Sequence, residues 1–137
     1  LKGNPMAGLG QPEITRLQKL LERRREALID DIHSALVKSG NESFIELAGR
    51  VHDAAEESVA EVLMAMNISL SQRETNELVD VEAALARILN GTYGACIDCG
   101  SAVNHDRLKA YPTAKRCITC QTLHENRRGG RDATPSL

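Results

Sequence analysis

All four cysteines of this chain stand between residues 96 and 120, as two C-x-x-C pairs, Cys96/Cys99 and Cys117/Cys120, with 17 residues between the pairs. Disulfides, a thiol redox pair or a metal could use such an arrangement. A redox pair of the thioredoxin kind needs one C-x-x-C between a strand and a helix, and no βαβ pattern is present. Stable disulfides are rare in the cytoplasm, and the chain is expected to be cytoplasmic. Its N-terminus, LKGNPMAGLG, lacks the apolar stretch of a signal peptide, and Met6 is a candidate natural start. No run approaches the roughly 20 apolar residues of a membrane span. The spacing instead favours structural zinc, because each C-x-x-C places two thiolates on one tight turn and tetrahedral zinc takes two such turns. Gly100, directly after the first pair, suits a turn that must be sharp. Four protein ligands leave no open position for water, so this zinc is expected to be structural and not catalytic. His105 and His124 flank the cluster and are read as solvated polar side chains.

The rest of the chain reads as helix. Aromatic residues are few (Phe44, Tyr93, Tyr111, no Trp), so the interior must be aliphatic, which suits long helices better than a sandwich or barrel. Residues 1–11 show no periodicity and are expected to form a flexible tail. From Pro12, apolar residues at Ile14, Leu17, Leu21, Leu28, Ile32 and Leu36 fall at helical spacing, with Gly40 as a stop. Residues 39–53 form a turn region in which Ser43-x-x-Glu46 is a possible capping box, with a helix then starting at Phe44. From Asp53 to Leu89 there is neither Gly nor Pro. The stripe Val59, Val62, Met66, Leu70, Leu78, Val81, Leu85 and Ile88 predicts one helix about 55 Å long. The first helix can cover that stripe, with Leu17 near Leu78, Leu28 near Met66 and Leu36 near Val59. If the capping box starts a helix, that register slides.

The expected fold is therefore mainly α: an antiparallel helical hairpin (a coiled coil) over 12–89, with its tip at about 39–53. A small four-cysteine zinc-finger module follows over 90–128. A short helix at 118–128 closes it, with Leu123 facing the metal cluster, and 129–137 is a flexible tail.

Charge narrows the function. Residues 91–131 hold seven basic side chains (Arg107, Lys109, Lys115, Arg116, Arg127, Arg128, Arg131) against Asp98, Asp106 and Glu125. Four thiolates with one zinc add about two negative charges, so the module is only slightly positive. The whole chain carries −2. Nucleic-acid binding rests on phosphate neutralisation and stacking on aromatic rings, and the chain is poorly equipped for either. A zinc-finger nucleic-acid-binding protein is the second reading. Catalysis lacks a nucleophile with a positioned base, a phosphate-cradling glycine loop or an open metal site. Arg23-Arg24-Arg25 faces an acidic second helix and reads as a solvated face with some cross-helix pairing.

The block YGACIDCGSAVNHDRLKAYPTAKRCITCQTLHENRR resembles the zinc finger of the DksA/TraR family of bacterial transcription regulators. The matching features are Tyr93-Gly94, the C-x-x-C-G turn, and Arg107, Leu108, Ala110, Pro112 and Ala114 in an R-L-x-A-x-P-x-A run before the second pair. With the hairpin ahead of it, the resemblance spans roughly residues 12–128. It implies a regulator that binds RNA polymerase directly and not DNA, inserting the hairpin tip into the secondary channel to modulate initiation, often together with the alarmone ppGpp. The family's tip motif, Asp-x-x-Asp-x-Ala, aligns with Arg50-Val51-His52-Asp53-Ala54-Ala55. Asp53 and Ala55 match and Arg50 replaces the first acid. Asp53 would also serve as the N-cap of the second helix. Where responsive members carry basic residues beside the module's proline and after its last cysteine, this chain has Tyr111 and Gln121, so alarmone synergy is doubtful.

Overall fold

A computed structural model describes residues 9–53, 58–65 and 72–132. The fold is mainly α, a helical hairpin followed by a four-cysteine module. Among the described residues the only strand-like pairing is one isolated antiparallel bridge, Ala95 with Ala102. These residues divide into two compact units. One holds the chain up to Leu17 together with everything from Arg87 onward, and the other is Gln18–Ala86. No described helix is long and apolar enough to cross a membrane.

Helix α1 spans Gln11–Lys38, close to the range that its periodicity predicts. Pro12 sits in its first turn, where a missing N–H costs nothing. Its stripe residues Ile14, Leu17, Leu21, Leu28, Ile32 and Leu36 are all buried. The helix stops where Gly40 takes φ 73°, and Ser39 donates its hydroxyl to the Leu36 carbonyl at 2.6 Å. Leu9, expected in a flexible tail, is buried instead. An apolar side chain beside a helix start lowers its free energy by packing.

The turn region folds into a second helix, α2, Glu42–Asp53. Its N-cap is Asn41, whose Oδ1 accepts from the Phe44 N–H at 3.2 Å, two residues ahead of the Ser43 capping box. Leu47, Ala48 and Val51 are buried along one face. That packing outweighs the roughly 1 kcal/mol by which Gly49 disfavours helix.

The single helix expected over 53–89 is not formed. Helix α3 covers Val59–Ala65 and helix α4 Gln72–Asn90, and Ser58 is not helical. Ser58 caps α3, its hydroxyl accepting from the Glu61 N–H at 3.1 Å. The run Ser58-x-x-Glu61 is a capping-box pattern inside a segment that otherwise lacks helix breakers. The expected register changes with it. Val59 donates its backbone N–H to Glu82, which also holds Arg25, so Val59 lies level with Arg25. It cannot lie beside Leu36, since eleven helical residues span about 16 Å. Met66 of the expected register lies outside the described residues. Val59, Ala60 and Leu63 of α3 and Leu78, Val81 and Ala84 of α4 are buried. Arg24 pairs with Glu77 at 2.6 Å and Arg25 with Glu82 at 2.9 Å, so part of the basic cluster does pair across helices.

Gly91, at φ 80°, ends α4, and the N–H groups of Thr92 and Tyr93 both bond the Arg87 carbonyl. This left-handed cap satisfies carbonyls that the helix end leaves open. The module beyond it contains the short helix α5, His105–Ala110, and α6, Ile118–Asp132. Helix α6 continues past the expected end at 128 and through Gly129-Gly130. Leu123, expected against the metal cluster, is half exposed at 51%.

Candidate functional site

The first cysteine turn is built by backbone hydrogen bonds. Gly94 takes φ 90° and Gly100 φ 79°, conformations that a side chain disfavours. Between them the Cys96 N–H bonds the Ser101 carbonyl at 2.8 Å, and the Gly100 N–H returns to the Cys96 carbonyl at 3.0 Å. The Asp98 N–H points at the Cys96 sulfur, 3.4 Å away. The second turn is the start of α6. Cys117 sits as its N-cap, with its sulfur accepting from the Cys120 N–H at 3.4 Å. A helix N-terminus carries partial positive charge, which favours a thiolate there.

Two ties join the turns, and a third, from Arg107, braces the second. The Ile97 N–H bonds the Lys115 carbonyl at 2.9 Å. Arg116 donates to Asp98 at 2.7 Å, and Arg107 donates to the Arg116 carbonyl at 3.1 Å. The four sulfurs consequently lie within 4.8 Å of one another, with Cys99 and Cys117 3.9 Å apart. Sulfurs each about 2.3 Å from one tetrahedral zinc lie about 3.8 Å from each other. A disulfide needs about 2.05 Å. The donor set and its spacing therefore fit zinc and do not form disulfides.

Protonation differs among the clustered thiols. Burial works against the Cys96 thiolate, but N–H groups of Cys99, Cys117 and Asp98 outweigh it and bring the thiol down to about 6. The Ser101 hydroxyl and N–H lower Cys99. Cys120 is pushed up to about 12 by hydrogen bonding to the Cys117 and Cys96 sulfurs. Three sulfurs around a fourth make it hold its proton, and a divalent ion displaces that proton.

A small scaffold supports the turns. Tyr93 is fully buried and its hydroxyl donates to the Pro112 carbonyl at 2.8 Å. Its burial pushes the phenol up to about 12. Leu108, Val103 and Ala114 are buried around it, and Asn104 caps α5 by accepting from the Asp106 N–H. The residues of the R-L-x-A-x-P-x-A run thus have physical work. Arg107 holds the backbone just before Cys117, Leu108 and Ala114 fill the interior, and Pro112 presents its carbonyl to Tyr93. His105 and His124 are not in the sulfur cluster; His105 lies 3.7 Å from Glu13. Sequence reading passed over Asp98 and Arg116, an acid in one cysteine turn and a base beside the other, whose opposite charge was the available signal.

Residues 91–126 match the family described as prokaryotic dksA/traR C4-type zinc finger. Over 119 residues the chain is 25% identical to the RNA polymerase-binding transcription factor DksA of Salmonella typhimurium and to that of Escherichia coli K12. Each alignment covers 87% of this chain and 76% of the relative. The DksA of Caulobacter vibrioides is 31% identical over 75 residues, 55% of this chain and 53% of that one. The structure of transcription factor DksA2 from Pseudomonas aeruginosa superposes with a TM-score of 0.57 at 25% identity, covering 89% of this chain and 90% of that one. The chain carries the C4-type zinc finger of the DksA/TraR family. As in the C4-type finger of that family, its metal is structural zinc.

The residues aligned with the DksA/TraR tip motif belong to the helical unit and the finger to the other. Arg50 and Asp53 are both exposed in the last turn of α2, and Ala55 lies outside the described residues. Asp53 is helical, within α2, and is not the N-cap of a second long helix.

Proposed function

We propose that this chain is a transcription regulator that binds RNA polymerase directly, and that it acts by contact and not by catalysis. The carrying observation is the finger: four converging sulfurs inside a scaffold whose supporting residues are those of the family motif, in a chain similar along most of its length to polymerase-binding factors. Cys96, Cys99, Cys117 and Cys120 hold the zinc, which supplies a cross-link between the two turns. Arg50, Asp53 and Ala55 form the tip that enters the secondary channel and modulates initiation. Asp53 supplies exposed negative charge, and that exposure supports a role outside the fold. Arg50, one helical turn earlier, offsets part of that charge.

Alarmone synergy is weak in this reading. Tyr111 is half exposed, with the Arg107 guanidinium 5.7 Å from its ring centre, and Gln121 donates to Glu125 at 2.7 Å. Neither side chain supplies a cation to a phosphate-rich ligand. Transcription assays with and without ppGpp should give nearly the same regulation, and a large synergy would remove this part of the proposal.

Co-purification with core RNA polymerase tests the main reading, with free promoter DNA as the comparison. Retention on polymerase and not on DNA is expected. Strong, salt-sensitive binding to DNA alone would replace the proposal with direct nucleic-acid binding.

A further inference from the structure

Glu82 has an unusual set of partners. Its side chain is only 14% exposed, and both carboxylate oxygens are occupied. Oε2 accepts from Arg25 Nε at 2.9 Å and from the Val59 N–H at 3.1 Å. Oε1 accepts from the Ser58 hydroxyl at 2.8 Å and from the Ala60 N–H at 3.3 Å. One carboxylate on α4 thus holds the first N–H groups of α3 and a guanidinium of α1. Val59 and Ala60 are buried, so their N–H groups cannot turn to water without exposing the chain. Charge-assisted bonds of this kind are about twice as strong as neutral ones.

Ser58 is five residues after Asp53, so an extended chain keeps their Cα atoms within about 18 Å. Whatever fixes Ser58 limits where Asp53 can be. The segment from Asp53 to Leu89 lacks Gly and Pro, and nothing in its residue types forbids a helix running through Ser58. With Glu82 removed, the N–H groups of Val59 and Ala60 lose their acceptors. Carbonyls one turn earlier become their nearest substitutes. Arg25 meanwhile becomes a poorly solvated cation without this partner.

We infer that Glu82 is a positioning residue, which sets the start of α3 and through it the placement of the tip residue Asp53. This rests on the proposed role of the tip. Glu82 itself touches no partner in this reading.

The test uses the full, zinc-loaded chain in four forms: wild type, Glu82→Gln, Glu82→Ala and the exchanged pair Arg25→Glu with Glu82→Arg. Amide hydrogen exchange reads the latch, and polymerase binding with transcription reads the tip. In Glu82→Ala, exchange at Val59 and Ala60 should speed by about tenfold or more, the loss expected for charge-assisted bonds. Polymerase should still be retained, and the regulatory effect should be lost. Glu82→Gln keeps one acceptor oxygen and should fall between. The exchanged pair restores attraction between α1 and α4 but offers α3 no acceptor, so it should behave like Glu82→Ala. Wild-type exchange at Val59 and Ala60 in Glu82→Ala would overturn the latch. Full regulation in Glu82→Ala, or its rescue by the exchanged pair, would overturn positioning through α3. Failure of the wild type to bind polymerase would instead sink the functional reading, with exchange still deciding the latch.

Discussion

The two compact units solve the same problem with different means. The helical unit buries aliphatic side chains from four helices, among them Leu28, Ile32, Leu36, Leu47, Val59, Leu63, Leu78 and Val81. The unit that holds the finger buries fewer large side chains, Leu9, Ile14, Leu17, Tyr93, Val103 and Leu108. Around its cysteines it relies on Tyr93, Val103 and Leu108, on backbone bonds between turns, and on a metal. Burial stabilises by roughly 25 cal/mol per Å² of apolar surface, so the unit with the smaller buried set gains less from it. A bound zinc supplies about 10–16 kcal/mol in isolated finger peptides. The lesson is that failure should be local: the finger should respond to whatever removes its metal, and the helical unit to whatever opens a cavity.

The largest expected effect is therefore metal removal. Chelation, or Cys117→Ser, should unfold residues 91–126 and release the zinc, while most of the signal from α1 to α4 persists in circular dichroism. Acidification should do the same, because protons compete with zinc for thiolates. Elemental analysis alongside the spectra checks both. A single transition for the whole chain on chelation would break the comparison.

Next comes the aliphatic side. Leu28 is fully buried in α1. Leu28→Ala should cost about 2–5 kcal/mol in denaturant unfolding of the helical unit and leave zinc stoichiometry unchanged. Loss of zinc in that variant would mean that the units fold as one.

Within the finger, Tyr93→Phe removes one hydrogen bond and leaves the Pro112 carbonyl without its donor. It should weaken the module by about 1–3 kcal/mol, seen as easier loss of zinc to a competing chelator. An unchanged competition curve would show that the buried ring alone does the work.

The smallest stability effect is expected at Asp53. It is exposed on α2, so Asp53→Asn and Asp53→Ala should both leave thermal unfolding unchanged. If the tip proposal is right, both should abolish regulation while polymerase is still retained. A clear loss of stability in Asp53→Ala but not in Asp53→Asn would return Asp53 to the role of a helix cap.

Some of this molecule was legible from residue order because the determining interactions are short in sequence. A C-x-x-C turn needs its two thiolates, a glycine at positive φ and the backbone between them, all within a few residues. Two such turns then admit few chemistries. Helix α1 was equally readable: its apolar spacing, Pro12 at one end and Gly40 at the other specify its length, and the structure ends it at Lys38. The supporting motif from Arg107 to Ala114 was recognisable as a pattern, although its physical work appears only when Arg107 reaches the Arg116 carbonyl.

Residues 53–89 show the opposite case. Helix propensity and a long apolar stripe, thin only around Ser69, Arg73 and Thr75, argued for one continuous helix, and the one local signal against it at Ser58 is a Ser58-x-x-Glu61 pattern that also occurs on helix surfaces. What interrupts the helix at Ser58 is Glu82, with partners 22 to 57 residues away in the chain. Asp53 differs from expectation as well, a helical residue within α2 and not the cap of a long helix. Residue types by themselves determined the metal site, the helical class and the outgoing arm, since each depends on neighbours in sequence. Tertiary structure alone decided where the return arm breaks, because a buried N–H must find an acceptor, and the acceptor it found is a carboxylate brought near only by folding.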